Sequence, residues 1–150
     1  MTPEPAEHDR FHGYVHALSQ VTDDDECDLL TIVLSDPDRA MAHSAVIGHL
    51  DRQAASLGSG EAFADWSRRI APVLEGHDLP KRRLGEWVLL KGIESGQPWN
   101  TSDLIESSNW LQNTLAEHTG AREALAVLAE NGRTNRIQNT ARTSLKRGHG

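Results

Sequence analysis

Two stretches of this 150-residue chain carry the same pattern of a short apolar helix, a tight polar turn and a second helix. In the first, Leu29, Leu30, Ile32, Val33 and Leu34 lead into Ser35-Asp36-Pro37-Asp38, and Ala42, Ala45, Val46 and Leu50 follow at steps of three and four. In the second, the apolar run 124–129 leads into Asn131-Gly132, and Ile137, Ala141 and Leu145 follow at steps of four. Such steps place side chains on one helix face. Each face needs a neighbouring helix to cover it, so a chain built this way is constrained to packed helix pairs.

The remaining sequence reads the same way. Phe11, Tyr14, Val15 and Leu18 form one stripe, and Phe63, Trp66, Ile70, Val73 and Leu74 another. No segment alternates polar and apolar residues as a half-buried strand would. The pattern predicts eight helices: 6–20, one opening at 23–25, 36–57, 61–74, one opening at 78–80, 100–115, 121–130 and 134–147. Leu84, Trp87, Val88, Leu89, Leu90 and Ile93 make the helix after Pro80 apolar over a wide arc and mark it as central. Connections are short and no low-complexity linker divides the chain. The expected fold is all-α, a single domain over 1–150 of antiparallel helix pairs, with 1–5 and 148–150 disordered.

Charge and cysteine usage narrow the function. The chain holds 22 acidic and 15 basic side chains. Residues 1–80 carry 15 acids and 5 bases, and residues 81–150 carry 7 acids and 10 bases. The overall acidity opposes tracking a phosphate backbone. Cys27 is the single cysteine, which excludes a disulfide within the chain and fits a reducing cytoplasm. Its neighbours Asp24, Asp25, Glu26 and Asp28 disfavour a thiolate nucleophile there. The first residues are acidic and contain Pro3 and Pro5, unlike a secretory leader. No run approaches the roughly 20 apolar residues of a membrane span.

With Asp36-Pro37-Asp38-Arg39 followed by Ala42, Ala45, Val46 and Leu50, the segment 28–57 resembles a HEAT-type helical repeat. The segment 124–147 resembles a degenerate second copy, keeping Arg136, Ala141 and Leu145 but with Asn131-Gly132 in place of the proline turn. The Trp-containing middle, 60–120, departs from the pattern. The resemblance implies a short HEAT-like array or irregular helical bundle with a partner-binding face, and it brings no catalytic residues.

The candidate chemistry is sparse. His8, His12 and His16 recur every four residues, and two imidazoles at that spacing can clamp a transition metal. No third ligand segment accompanies them, so a polar helix flank is the plainer assignment and no metal or cofactor is expected. Asp23, Asp24, Asp25 and Glu26 lack the glycine and closing glutamate of a calcium loop and read as helix-capping carboxylates. Glu86-Trp87 and Glu106 with Trp110 set carboxylates near indoles, as in HEAT-like proteins that excise damaged DNA bases, but match no motif of theirs. A core Trp beside a solvent-facing Glu describes each pair.

Lys81, Arg82 and Arg83 sit where a helix dipole disfavours cations, which calls for a compensating acid or a bound anion. Arg133, Arg136, Arg142, Lys146 and Arg147 stud the last helix without an aromatic among them, as a solvated basic face does. The expectation is a non-catalytic cytoplasmic module of bacterial type that binds another protein, such as a regulatory or toxin-neutralising partner. Trp99, Trp110 and Arg39 are the candidate contacts. The alternative is a nucleic-acid-associated helical protein using Lys81, Arg82, Arg83, Arg133 and Arg136.

Overall fold

The computed structural model describes the backbone of residues 3–147 and the side chains of residues 8–147. All regular structure among the described residues is helical: α1 (Pro3–Gln20), α2 (Asp23–Leu34), α3 (Arg39–Ser56), α4 (Glu61–Ile70), α5 (Asp78–Glu94), α6 (Thr101–Glu106), α7 (Asn109–His118), α8 (Arg122–Asn131) and α9 (Asn135–Arg147). A single 3-10 turn covers Ala71–Leu74. The all-α class expected from the sequence is therefore the class observed. The expected disorder at 1–2 and 148–150 lies outside the described residues, whereas the backbone of 3–5 belongs to α1.

The chain divides into two compact units, Met1–Gly85 and Glu86–Gly150, with the division inside α5. In the first unit α1, α2 and α3 pack on one another. Leu30, Val33 and Leu34 of α2 and Ala42, Ala45, Val46 and Leu50 of α3 are buried there. Small Ala42 and Ala45 allow close helix packing, and Leu50 has no exposed surface. Burying one such leucine contributes about 1.5–3 kcal/mol. In the second unit α9 packs on α7 and α8, and α6 packs on α8. Leu111, Leu115, Leu128 and Ile137 form its core.

Several helix ends differ from the sequence reading, each for a local reason. The expected helix 61–74 stops at Ile70, because Pro72 has no N–H to offer the carbonyl of Arg68 and the chain tightens into the 3-10 turn. The expected helix 100–115 is two helices, since Ser108 adopts an extended conformation and caps α7 by accepting from Leu111 N. Helix α3 starts at Arg39, with Asp38 and not Asp36 as its cap. Thr22 and not an acid holds the N-cap position of α2, and it makes no side-chain capping bond, while the acids of the first turn complement the helix dipole. On α5 the apolar arc ends short of Val88, which is 47% exposed.

Helix α5 closes in a Schellman motif. Gln97 N donates to Gly92 O at 2.9 Å and Gly96 N to Ile93 O at 3.3 Å. Gly96 takes a left-handed φ of 78° that other residues rarely adopt. The motif turns the chain sharply and delivers Pro98 and Trp99 to the start of α6.

Candidate functional site

The strongest polar cluster of the first unit surrounds Glu26, which the sequence reading took for an exposed cap. Its side chain is 1% exposed. Oε2 accepts from His49 Nε2 at 2.7 Å and from Trp66 Nε1 at 3.0 Å, and Oε1 accepts from Arg69 at 2.7 Å. Burial pushes the carboxyl up, but the bonds from His49, Trp66 and Arg69 outweigh it and hold the group down to about 2. An ionised carboxylate only accepts, so His49 carries its proton on Nε2. The cluster ties α2, α3 and α4 together. Both oxygens are engaged by the protein's own donors, two on Oε2 and one on Oε1.

Asp36 is a second tie. Its carboxylate takes Arg10 Nε at 3.0 Å, Tyr14 OH at 2.8 Å and Asp38 N at 2.9 Å. The Arg10 bond, then the Asp38 amide and the Tyr14 hydroxyl, hold its carboxyl below the usual range. The Asp-Pro turn thus fastens α1 to the turn before α3. Farther along α3, buried His43 meets His77, with Nε2 and Nδ1 3.2 Å apart. Desolvation, then the charges of His77 and Arg39, push His43 down, against a smaller opposing pull from Asp78.

The sequence-derived candidates distribute as follows. Arg39 is exposed and donates to Gly76 O at 3.3 Å. Lys81 pairs with Glu75 at 3.0 Å, and Arg83 lies 3.6 Å from Asp51. These acids offset the unfavourable dipole at the start of α5. Arg82 is exposed. His8 and His12 bring their Nε2 atoms to 3.1 Å on the exposed flank of α1, and His16 is exposed one turn further. No group of three metal-ligating side chains occurs among the described residues.

In the second unit Glu86 and the two indoles have structural duties. Glu86 is buried, not solvent-facing, and accepts from Ser108 N at 2.8 Å and Ser108 Oγ at 2.7 Å. It pins the break between α6 and α7. Trp87 is buried, and half-buried Trp110 leans on it with ring centroids 5.3 Å apart. Such an aromatic pair adds about 0.5–1.5 kcal/mol beyond its buried area. Lys91 stands over the Trp87 ring at 5.6 Å. Glu106 is exposed.

Trp99 is half-buried and lines an open groove of about 630 Å³ between the α5–α6 turn and the start of α8. Ile93, Pro98 and Val127 supply apolar wall, while Gln97, Thr101, Arg122 and Glu123 supply polar rim. Arg133, just before α9, and Arg136, in its first turn, belong to the second unit and are both exposed. Buried Gln112 organises the start of α9. It donates to Leu104 O at 2.9 Å and Ile105 O at 3.1 Å, and accepts from Arg133 N at 2.9 Å.

Comparison with known protein families, with curated proteins and with solved structures finds no match to this chain. No helix among the described residues is long and apolar enough to cross a membrane.

Proposed function

We propose that the chain is a non-catalytic, HEAT-like helical module of the cytoplasm that binds another protein through the groove at Trp99. The observation that carries this reading is the groove itself. A large indole, a proline and two aliphatic side chains share a concave wall, ringed by residues that donate and accept hydrogen bonds. Apolar anchors with a polar rim are how protein partners are held. Tryptophan in particular combines large contact area with little rotamer entropy to lose. Trp110 is the weaker contact, since Trp87 already covers part of its ring.

The polar clusters support the same reading. Glu26, Asp36 and Glu86 each spend their oxygens on tying helices or helix breaks together. A regulatory or toxin-neutralising role suits a rigid scaffold of this kind, in which helices hold a recognition surface in place.

The test is parallel capture from native lysate with wild type and Trp99→Ala as baits, both checked for helicity by circular dichroism. A partner retained by wild type and lost or weakened at least tenfold with Trp99→Ala supports the reading. The same partners at the same yield on both baits overturn it.

A further inference from the structure

We propose that the outward face of α9 binds double-stranded DNA, a reading independent of the Trp99 groove. Helix α9 contains Arg136, Arg142, Lys146 and Arg147 and no acidic residue. At 100° per residue, these four cations together with Asn135, Asn139, Thr140 and Thr143 fall within an arc of about 160°. The opposite side holds buried Ile137 and Ala141, which seat the helix on α7 and α8. The four cations are exposed, and among the described residues none of them forms an ion pair. Arg142 donates to Asn139 Oδ1 at 3.1 Å, within the arc.

A shallow groove of about 550 Å³ runs along this face, with Arg136 and Arg147 at its ends, Asn139, Thr140, Thr143 and Ser144 between them, and Glu117 of α7 on its edge. From Arg136 to Arg147 the helix rises roughly 16 Å. That run matches several backbone phosphates of a duplex, and an α-helix fits the major groove of B-DNA. Arginine, asparagine and threonine are the side chains that bond phosphates and base edges.

The same residues disfavour other anionic partners. The arc carries no large apolar side chain to enter a lipid headgroup layer and no aromatic to stack on unpaired bases. The deep, narrow major groove of A-form RNA admits no such helix. The chain's acidity does not oppose the assignment locally. From Glu86 onward acids and bases number 7 each, so the −7 of the whole chain resides in residues 1–85.

The experiment is fluorescence anisotropy of a labelled 20-base-pair DNA duplex against the full chain over 50–200 mM salt. Arg136→Gln/Arg147→Gln is the test variant, and Arg82→Gln, outside α9, is the control. Four phosphate contacts predict a log–log salt slope of about −3.6, or about 150-fold lost affinity across that range. The double variant should bind more weakly at 50 mM and reduce the slope to about −1.8, a loss of about 12-fold. The Arg82→Gln control should follow wild type. Circular dichroism of each variant confirms an unchanged fold, since the exposed arginines support no core residue. No binding to the duplex at 50 mM salt, an undiminished slope in the double variant, or equal binding to single-stranded DNA overturns the proposal. Binding to anionic vesicles in place of the duplex also overturns it.

Discussion

Replacing Glu26 by glutamine tests the physical reasoning behind the first unit most sharply. The carboxyl titrates near 4.5 in an unfolded chain and is held at about 2 in the folded one. A displacement of that size is worth about 3 kcal/mol. The sign follows from which form the fold prefers. The folded state favours the ionised carboxylate, so this stability is fully present above about pH 4.5 and is lost as pH falls towards 2. Glutamine offers one accepting oxygen and an NH₂ in place of the second. That NH₂ must face at least one of the donors on His49, Trp66 and Arg69. A glutamine oxygen in place of Oε2 keeps His49 and Trp66, and the NH₂ then faces Arg69, which is 38% exposed and can turn to water; what is lost is the charge that strengthens all three bonds. Glu26→Gln should therefore lose about 3 kcal/mol at pH 7. Urea unfolding followed by tryptophan fluorescence at pH 7, 5, 4 and 3 measures this, with Trp66 inside the network as one reporter. The gap between wild type and variant should narrow steadily below pH 4.5. A variant within 1 kcal/mol of wild type at pH 7, or an equal gap at pH 3, refutes the assignment of Glu26 as an ionised tie.

Two further substitutions probe the packing and the titration of other groups. Gly132→Ala places a Cβ 2.7 Å from Leu128 O and 2.8 Å from the Ile137 side chain, so the α8–α9 turn must shift, and thermal unfolding should report a loss of about 1–3 kcal/mol. His43 is held below its ordinary value, so its neutral form stabilises the fold above about pH 6.5 and that contribution is lost as pH falls through the folded-state value. The urea midpoint of wild type should fall between pH 7 and pH 5, and in His43→Gln it should fall less; an identical fall in both would show that His43 does not contribute.

The helices were legible because apolar side chains repeat at steps of three and four. The ties were legible only in part. Glu26 stands four residues before Leu30 and seven before Val33, on the buried face of α2. Glu86 stands in the same relation to Leu90 and Ile93, His49 follows Ala42 by seven and Val46 by three, and Gln112 precedes Leu115 and Ala116 by three and four. Each polar residue shares the phase of an apolar stripe, and all four are buried. That phase is the sequence signal for a polar group that must find partners inside. Reading Asp23–Glu26 as one capping cluster, and Glu86 as solvent-facing, overlooked it.

What the sequence does not encode locally is which partner each tie finds. Glu26 meets His49, Trp66 and Arg69 across 23, 40 and 43 residues, and those meetings depend on how the helices pack. The break at Ser107-Ser108 was hidden for the same reason, since its anchor, Glu86, lies 22 residues away. That Trp99 is not fully buried was readable, because the Gly96-Gln97-Pro98 turn keeps it from a helix stripe.

Hydrogen–deuterium exchange of the chain, alone and with the partner captured on wild-type bait, tests the recognition surface directly. Protection on binding should concentrate in residues 93–101 and 121–127, the two segments that wall the Trp99 groove. Protection confined to 23–69, with both groove segments unchanged, would contradict the account.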